Sequence, residues 1–418
     1  MKHARLTALS TLLIVSAFSA AEAQKKTVVF LSGQNRDVGY TKIISMLSDD
    51  YAKKNATFSY QHQAQLTDLT QRLQLLANSG TLPTLFSINE PSLLAQLATK
   101  GDAADLESYF RDLGIYSKLN PVAVQINKKL TGGKLLGLPL ELNIEGIWYN
   151  KKIFADNGLK EPKTWDEMMA AADKLKARNI QPFSASGDQK WPLTRLIGGY
   201  AARKYGADVM DRVKDGSLKL TDAGFVEAAR AVQEMGKKGY FGLGVNTIDY
   251  DTAVDTFLQG KAAMLYMGSW VLRDLNDKTR NKIGEASVGF FNIPAVKGGK
   301  GTINDWSINT GLTVGVNAKQ LDKATGDWMK HVFSNYANLA MSDLGMLTGF
   351  KVTKTPKTIP ALTKMTQTKL NAAKNGYLWW EGLFSPKATA ISQDNVQPLI
   401  TGDLSPEEYM QQLQNALK

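Results

Sequence analysis

Five of the eight tryptophans stand where a side chain can meet a ligand. Trp191, Trp270, Trp306, Trp379 and Trp380 fall in loops or at the ends of expected elements. Trp148, Trp165 and Trp328 fall in expected strands or on apolar helix faces, so they are assigned to the core. Flat aromatic faces pack on the apolar C–H patches of a pyranose ring, and planar polar groups bond its hydroxyls. Polar residues suited to that task are Gln34 and Asn35 just past the first expected strand, and Ser87, Asn89 and Glu90 at the end of the third. Glu141 and Asn143 lie between two central strands, and Asp188 precedes Trp191 in a polar loop. Glu145 shares the second central strand, where alternation can turn it away from a cleft.

Other chemistries find little support in the same inventory. There is no cysteine, and the histidines are three, His3, His62 and His331, with no HExxH pair. Neither a metal centre nor a Ser-His-Asp triad is expected from them. The glycines at 298–301 (GGKG) lack the spacing of a phosphate-cradling loop. A glycosidase needs two carboxylates about 5–10 Å apart. The chain has carboxylates enough, but no such motif stands out. No catalytic residue and no cofactor are therefore expected. The formal charge is +11, with the basic residues spread along the chain and no run of five. That pattern reads as a solvated surface, and no basic-aromatic cluster points to nucleic acid.

The elements that must position these residues can be read from periodicity. Residues 26–31 (KTVVFL), 57–61 and 84–88 read as strands, with amphipathic helices between them. Strand–helix alternation implies a parallel-type α/β sheet, whose ligands bind beyond the C-terminal strand ends. Segments 135–140 and 144–149 read as two strands joined by a polar interruption, as where a chain crosses a groove. Thr164 and Glu167 have the spacing of a capping box, followed by Trp165, Met168, Ala172 and Leu175 on one helix face. Gly260 can close a helix, 261–267 reads as a buried strand, and Ser269 is placed to cap the next helix ahead of Trp270. Ser405, Pro406 and Glu408 open the last helix.

Three motifs carry a family resemblance: GKLLGLP followed by YNKKIF and GLKEPKTWDEM; ANSGTLPTLF; and TFLQGKAAMLYMGSW at 256–270. In this order they resemble extracellular solute-binding proteins of bacterial ABC importers, specifically the carbohydrate-binding group to which maltose-binding protein belongs. Thr84 stands where that family usually has Asp, at a structural position, and Ser87 where some relatives carry an aromatic. The resemblance implies a two-lobe α/β architecture, the type II periplasmic-binding-protein fold, with three crossing segments as a hinge and a ligand cleft between lobes. Lobe one would comprise 24–142 and 292–340, and lobe two 143–291 and 341–418. It further implies a non-enzymatic, monomeric protein that captures a mono- or oligosaccharide and hands it to the transmembrane subunits of an ABC permease. In relatives the tryptophan matching Trp270 often stacks on a sugar ring. The positive charge leaves an acidic sugar, a uronate oligomer or a sugar phosphate, as the alternative ligand; no arginine stands where a bidentate carboxylate contact is expected, with Arg36, Arg195 and Arg273 the candidates.

The N-terminus agrees with export. Lys2 and Arg5 precede a short apolar stretch at 9–18 and the small-x-small site Ala21-Glu22-Ala23. This reads as a cleavable signal peptide, 1–23, too short to span a bilayer. The cysteine of a lipoprotein site is missing. The expected location is the periplasm. Cleavage removes Lys2, Arg5 and Glu22 and leaves a charge of +10.

Overall fold

The strands are β1 Lys26–Ser32, β2 Phe58–Ala64, β3 Leu85–Ile88, β4 Gly137–Leu138, β5 Asn143–Asn150, β6 Gln181–Ser184, β7 Ala262–Gly268, β8 Val288–Phe291, β9 Asp305–Asn309, β10 Thr313–Val316 and β11 Asn375–Tyr377. They belong to a computed structural model that describes residues 25–88 and 90–417; the expected leader and Asn89 lie outside the described residues.

The strands form two sheets. The first has the order β2-β1-β3-β10-β4, with β1 parallel to both β2 and β3 and β10 antiparallel to its neighbours. The second has the order β11-β9-β5-β7-β6, with β8 also on β5. Its centre, β5, is antiparallel to β7, β8 and β9. Both β7 and β8 are buried along their whole length, as their unbroken apolar runs require.

Each sheet has its own core. In the first lobe the helix Lys323–Leu344 lies against the helix Gly39–Lys54, and Trp328 is fully buried with its indole N–H on Ser48 Oγ at 3.0 Å. In the second lobe Trp148 stacks on Phe290 at 4.2 Å and donates to the Met267 carbonyl. Both capping boxes form, at Thr164/Glu167 and Ser405/Glu408. Gly260 takes positive φ, +73°, and ends its helix as expected. Among the described residues no helix is long and apolar enough to cross a membrane.

The chain passes between the sheets three times, at 139–142, at 310–312, and after the helix Lys323–Leu344 on its way to β11. Two expected boundaries shift. The family resemblance implies that segment 292–309 belongs to lobe one. It stays instead with the second sheet, because β9 pairs with β5 and buried Arg203 grips the carbonyls of Ile293 and Asp305 at 2.7 and 3.0 Å. Segment 341–350 remains against the first core, where Phe350 stacks on Phe333 at 5.3 Å. The expected strand at 135–140 shrinks to Gly137–Leu138, because Pro139 has no amide hydrogen to extend the ladder.

Candidate functional site

A cavity of about 740 Å³ opens between the two sheets, within the usual size of small-molecule sites. Gln34 and Glu90 reach it from the strand ends of the first lobe. Glu141 and Gly311 come from the first and second crossings, and Trp191, Arg195, Trp270, Arg273 and Trp379 from the second lobe.

Three local devices aim the tryptophans. Trp191 begins the helix Trp191–Tyr205, directly after Lys190 at φ +61°, ψ −49°. The Trp191 N–H donates to the Gln189 carbonyl at 2.6 Å, so Lys190 centres a strained γ-turn that throws the indole toward the cleft. Trp270 folds back over Gly268, where an added Cβ would sit 2.0 Å from the ring. Trp379 is carried by a segment that docks on the helix Trp191–Tyr205: Gly198 lets the Trp380 backbone approach, and the Thr194 hydroxyl bonds Glu381.

These devices bring Trp191, Trp270 and Trp379 around one guanidinium. Arg195 Cζ lies 4.6, 5.8 and 5.5 Å from their respective ring centres. Its Nη1 pairs with Glu145 Oε2 at 2.8 Å, and that carboxylate is wholly buried. Glu145 also accepts from Tyr266 at 2.8 Å and from Asn309 Nδ2 at 2.7 Å. Burial alone would lower the Arg195 pKa; Glu145, Tyr266 and Glu381 together outweigh it and hold the group above its ordinary value.

The floor is a buried polar network. Asn143 donates to Glu141 Oε2 at 2.9 Å, and Ser269 donates to Asn143 Oδ1 at 2.8 Å. Asn309 Oδ1 accepts from the Gly311 amide at 2.8 Å. Gly311 has φ +73°, and an added Cβ would sit 2.3 Å from a Glu141 oxygen. Asn143 Nδ2 also donates to Asn309 Oδ1 at 3.4 Å, which joins the two crossings beneath the cavity. Gln34 Oε1 and the Tyr250 hydroxyl belong to cavity-lining residues and are buried without a protein partner. Buried polar atoms are ordinarily satisfied, so these two point to a ligand or to water.

Of the residues singled out from sequence, Gln34, Glu90, Glu141, Trp191, Trp270 and Trp379 share the cavity. Others do not. Trp380 is 1% exposed, packs on Phe384 and bonds Ser392, because its segment docks on a helix rather than looping free. Trp306 lies in β9, not in a loop, and packs on Phe290 at 5.4 Å. Ser87 is fully buried beneath the first-lobe loop and meets Tyr40. Asn143 acts one layer below the cavity, while Asn35 and Asp188 are exposed and do not line it. Asn89 lies outside the described residues. Ser269 does not cap a helix but joins the floor network. Thr84 bonds Gln320 inside the first lobe, a structural role. Arg195 and Arg273, read from sequence only for an acidic ligand, also line the cavity, as do Tyr250 and Glu381, which sequence reasoning missed. A lone Arg in the apolar run WPLTRLIGG was the readable signal for Arg195.

The family described as bacterial extracellular solute-binding protein matches residues 38–337. The chain belongs to this family. A binding protein of Brucella abortus (strain 2308) is 27% identical over 258 residues, 61% of this chain and 60% of the relative. The multiple sugar-binding protein of Streptococcus mutans is 25% identical over 325 residues, 75% of this chain and 74% of the relative. The solved structure of a chitin oligosaccharide binding protein covers 94% of this chain and 98% of its own, with a TM-score of 0.82 at 23% identity. That likeness shows the expected two-lobe periplasmic-binding-protein fold.

The floor gives the solute-binding protein a pH signature. Burial pushes the Glu141 carboxyl above its ordinary 4.5, against the opposing pull of Asn143 and Arg273. A raised carboxyl binds its proton more tightly folded than unfolded, so stability falls as pH rises from 4.5 through the folded value. Glu141→Gln is expected to raise the melting temperature at pH 8 and to leave it unchanged at pH 4. Thermal denaturation at both values checks this; an equal shift at both would remove the titration as its cause.

Proposed function

We propose that this protein is the periplasmic substrate-binding component of an ABC sugar importer. It captures a neutral mono- or oligosaccharide between its lobes and delivers it unaltered, as a monomer, to a membrane permease. The observation that carries this reading is the wall of three half-buried indoles, Trp191, Trp270 and Trp379, drawn from separate segments to one interlobe cavity. Aromatic faces beside polar groups are what a pyranose needs. The unpartnered Gln34 oxygen and Tyr250 hydroxyl stand ready for its hydroxyls. The Streptococcus mutans relative, a multiple sugar-binding protein, agrees with this class.

Export through cleavage after Ala23 completes the reading. Closure follows from the crossings: the ligand must bind the closed arrangement better than the open one to shift it. An acidic ligand fits less well, because Arg195 is paired with Glu145 and Arg273 lies 3.3 Å from Asp274.

The test is a thermal-shift screen of the protein from Gln24 onward against neutral sugars, uronate oligomers and sugar phosphates. A ligand at about 100 times its dissociation constant adds about 2.7 kcal/mol of apparent stability. A rise with a neutral mono- or oligosaccharide is expected; no rise with any sugar would overturn the reading.

A further inference from the structure

The guanidinium of Arg195 is placed unlike a residue that captures anions. Its Cζ lies over three indole rings, at 4.6 Å from the centre of Trp191, 5.5 Å from Trp379 and 5.8 Å from Trp270. With three rings crowded around it, the group has its N–H donors left to offer a ligand. Nη1 is taken by Glu145 at 2.8 Å, whereas Nε–H is buried without a protein partner. Arg195 itself lines the cavity.

The surrounding charges are acidic. Glu145 matches the arginine one for one, with its side chain wholly excluded from water. Glu381 is a second buried acidic group on the same wall, close enough to Arg195 for the two to influence each other's charge. Glu145 is held from two further sides, by Tyr266 and by Asn309, so it cannot swing away to release the arginine. The result is a strong directional donor in a wall with no surplus positive charge. Such a group bonds a neutral oxygen well. It offers a carboxylate no net attraction to offset the loss of its hydration.

We propose that Arg195 sets the charge specificity of the cleft: its Nε–H donates to a hydroxyl or ring oxygen of a neutral sugar, while Glu145 cancels its charge and so disfavours uronates. This rests on the sugar-binding reading above and narrows its ligand class. Arg195 is a ligand-contacting residue in this scheme, and Glu145 is a positioning and charge-masking one.

The experiment is calorimetric titration of the full mature protein with maltotriose, cellotriose and trigalacturonate, in wild type and in Glu145→Gln. Wild type is expected to favour a neutral trisaccharide. Glu145→Gln keeps the side-chain volume and an oxygen for Tyr266, and unmasks the arginine. The affinity for trigalacturonate relative to the neutral sugar should rise at least tenfold, and the gain should shrink with added salt. An unchanged ratio in folded Glu145→Gln would overturn the proposal. Removing one partner of a buried ion pair can prevent folding. In that event Glu381→Gln decides, with a rise of about threefold expected and no rise overturning the proposal. Wild type that prefers trigalacturonate overturns this inference alone and leaves sugar binding standing. Wild type that binds no sugar in this set or in the broader screen overturns both.

Discussion

Trp380→Ala is expected to destabilise the second lobe by about 3–5 kcal/mol, the usual cost of emptying a buried aromatic site. Trp379→Ala, one position earlier, should cost less than about 1 kcal/mol of stability and instead weaken sugar binding. The contrast follows from the two surroundings. Trp380 is 1% exposed, lies against Phe225 and Phe384, and loses a bond to Ser392 when truncated. Its neighbour is half-buried on the cavity wall beside Arg195. Gly198, seated under the Trp380 backbone, prevents a simple repacking of the helix face into the hole. Urea unfolding of both variants, with affinity measured in parallel, separates the roles. Equal stability losses would put Trp379 in the core and reduce the aromatic wall to two rings.

That adjacent pair shows what local reading could and could not recover. Helix spacing identified the buried Trp165 and Trp328, and an apolar strand identified Trp148, because each is decided by neighbours in sequence. The buried strand read at 261–267 forms as β7, and a short helical segment follows it through Trp270. Trp306 and Trp380 failed for one reason: partners more than ten residues away bury them, β11 and Phe290 for the first, the helix Trp191–Tyr205 and Ser392 for the second. Arg195 is legible as a lone Arg in an apolar run, yet its place in the site rests on Glu145, fifty residues earlier in the chain and in β5. The same holds for the hinge. The first crossing was legible as a polar break between apolar strands. The second was displaced to 310–312, because the pairing of Asn309 with Asn143 has no trace in either segment alone.

The hinge and the cleft share hydrogen bonds, which bears on how binding closes the lobes. From Arg195 the chain of contacts runs to Glu145, then to Asn309, then to the Gly311 amide in the second crossing. Glu141 and Asn143 do the same for the first crossing, with Asn143 also tied to Ser269 beside Trp270. A ligand that orders the indoles and Arg195 therefore acts on groups already bonded to the segments that must bend. Such an element can be biased by small shifts, provided it has two arrangements that the ligand distinguishes.

Trp270→Ala should weaken sugar binding by about 1–3 kcal/mol, up to roughly a hundredfold in dissociation constant, with little loss of stability. The indole is half-buried, meets Trp191 edge-on at 5.7 Å, and covers Gly268 at the margin of a second-lobe core cluster. A second variant keeps the ring and moves it. Gly268→Ala would drive a methyl to 2.0 Å from the indole, so the ring must swing away although φ at that position, −82°, suits any residue. Both variants should therefore lose affinity by similar factors, one by removing the face and the other by misplacing it. Titration with the best sugar from the screen, alongside thermal denaturation, reads both. A large fall in melting temperature with unchanged affinity for Trp270→Ala would make the ring a packing element. Full affinity in Gly268→Ala would mean that stacking at this position does not hold the ligand.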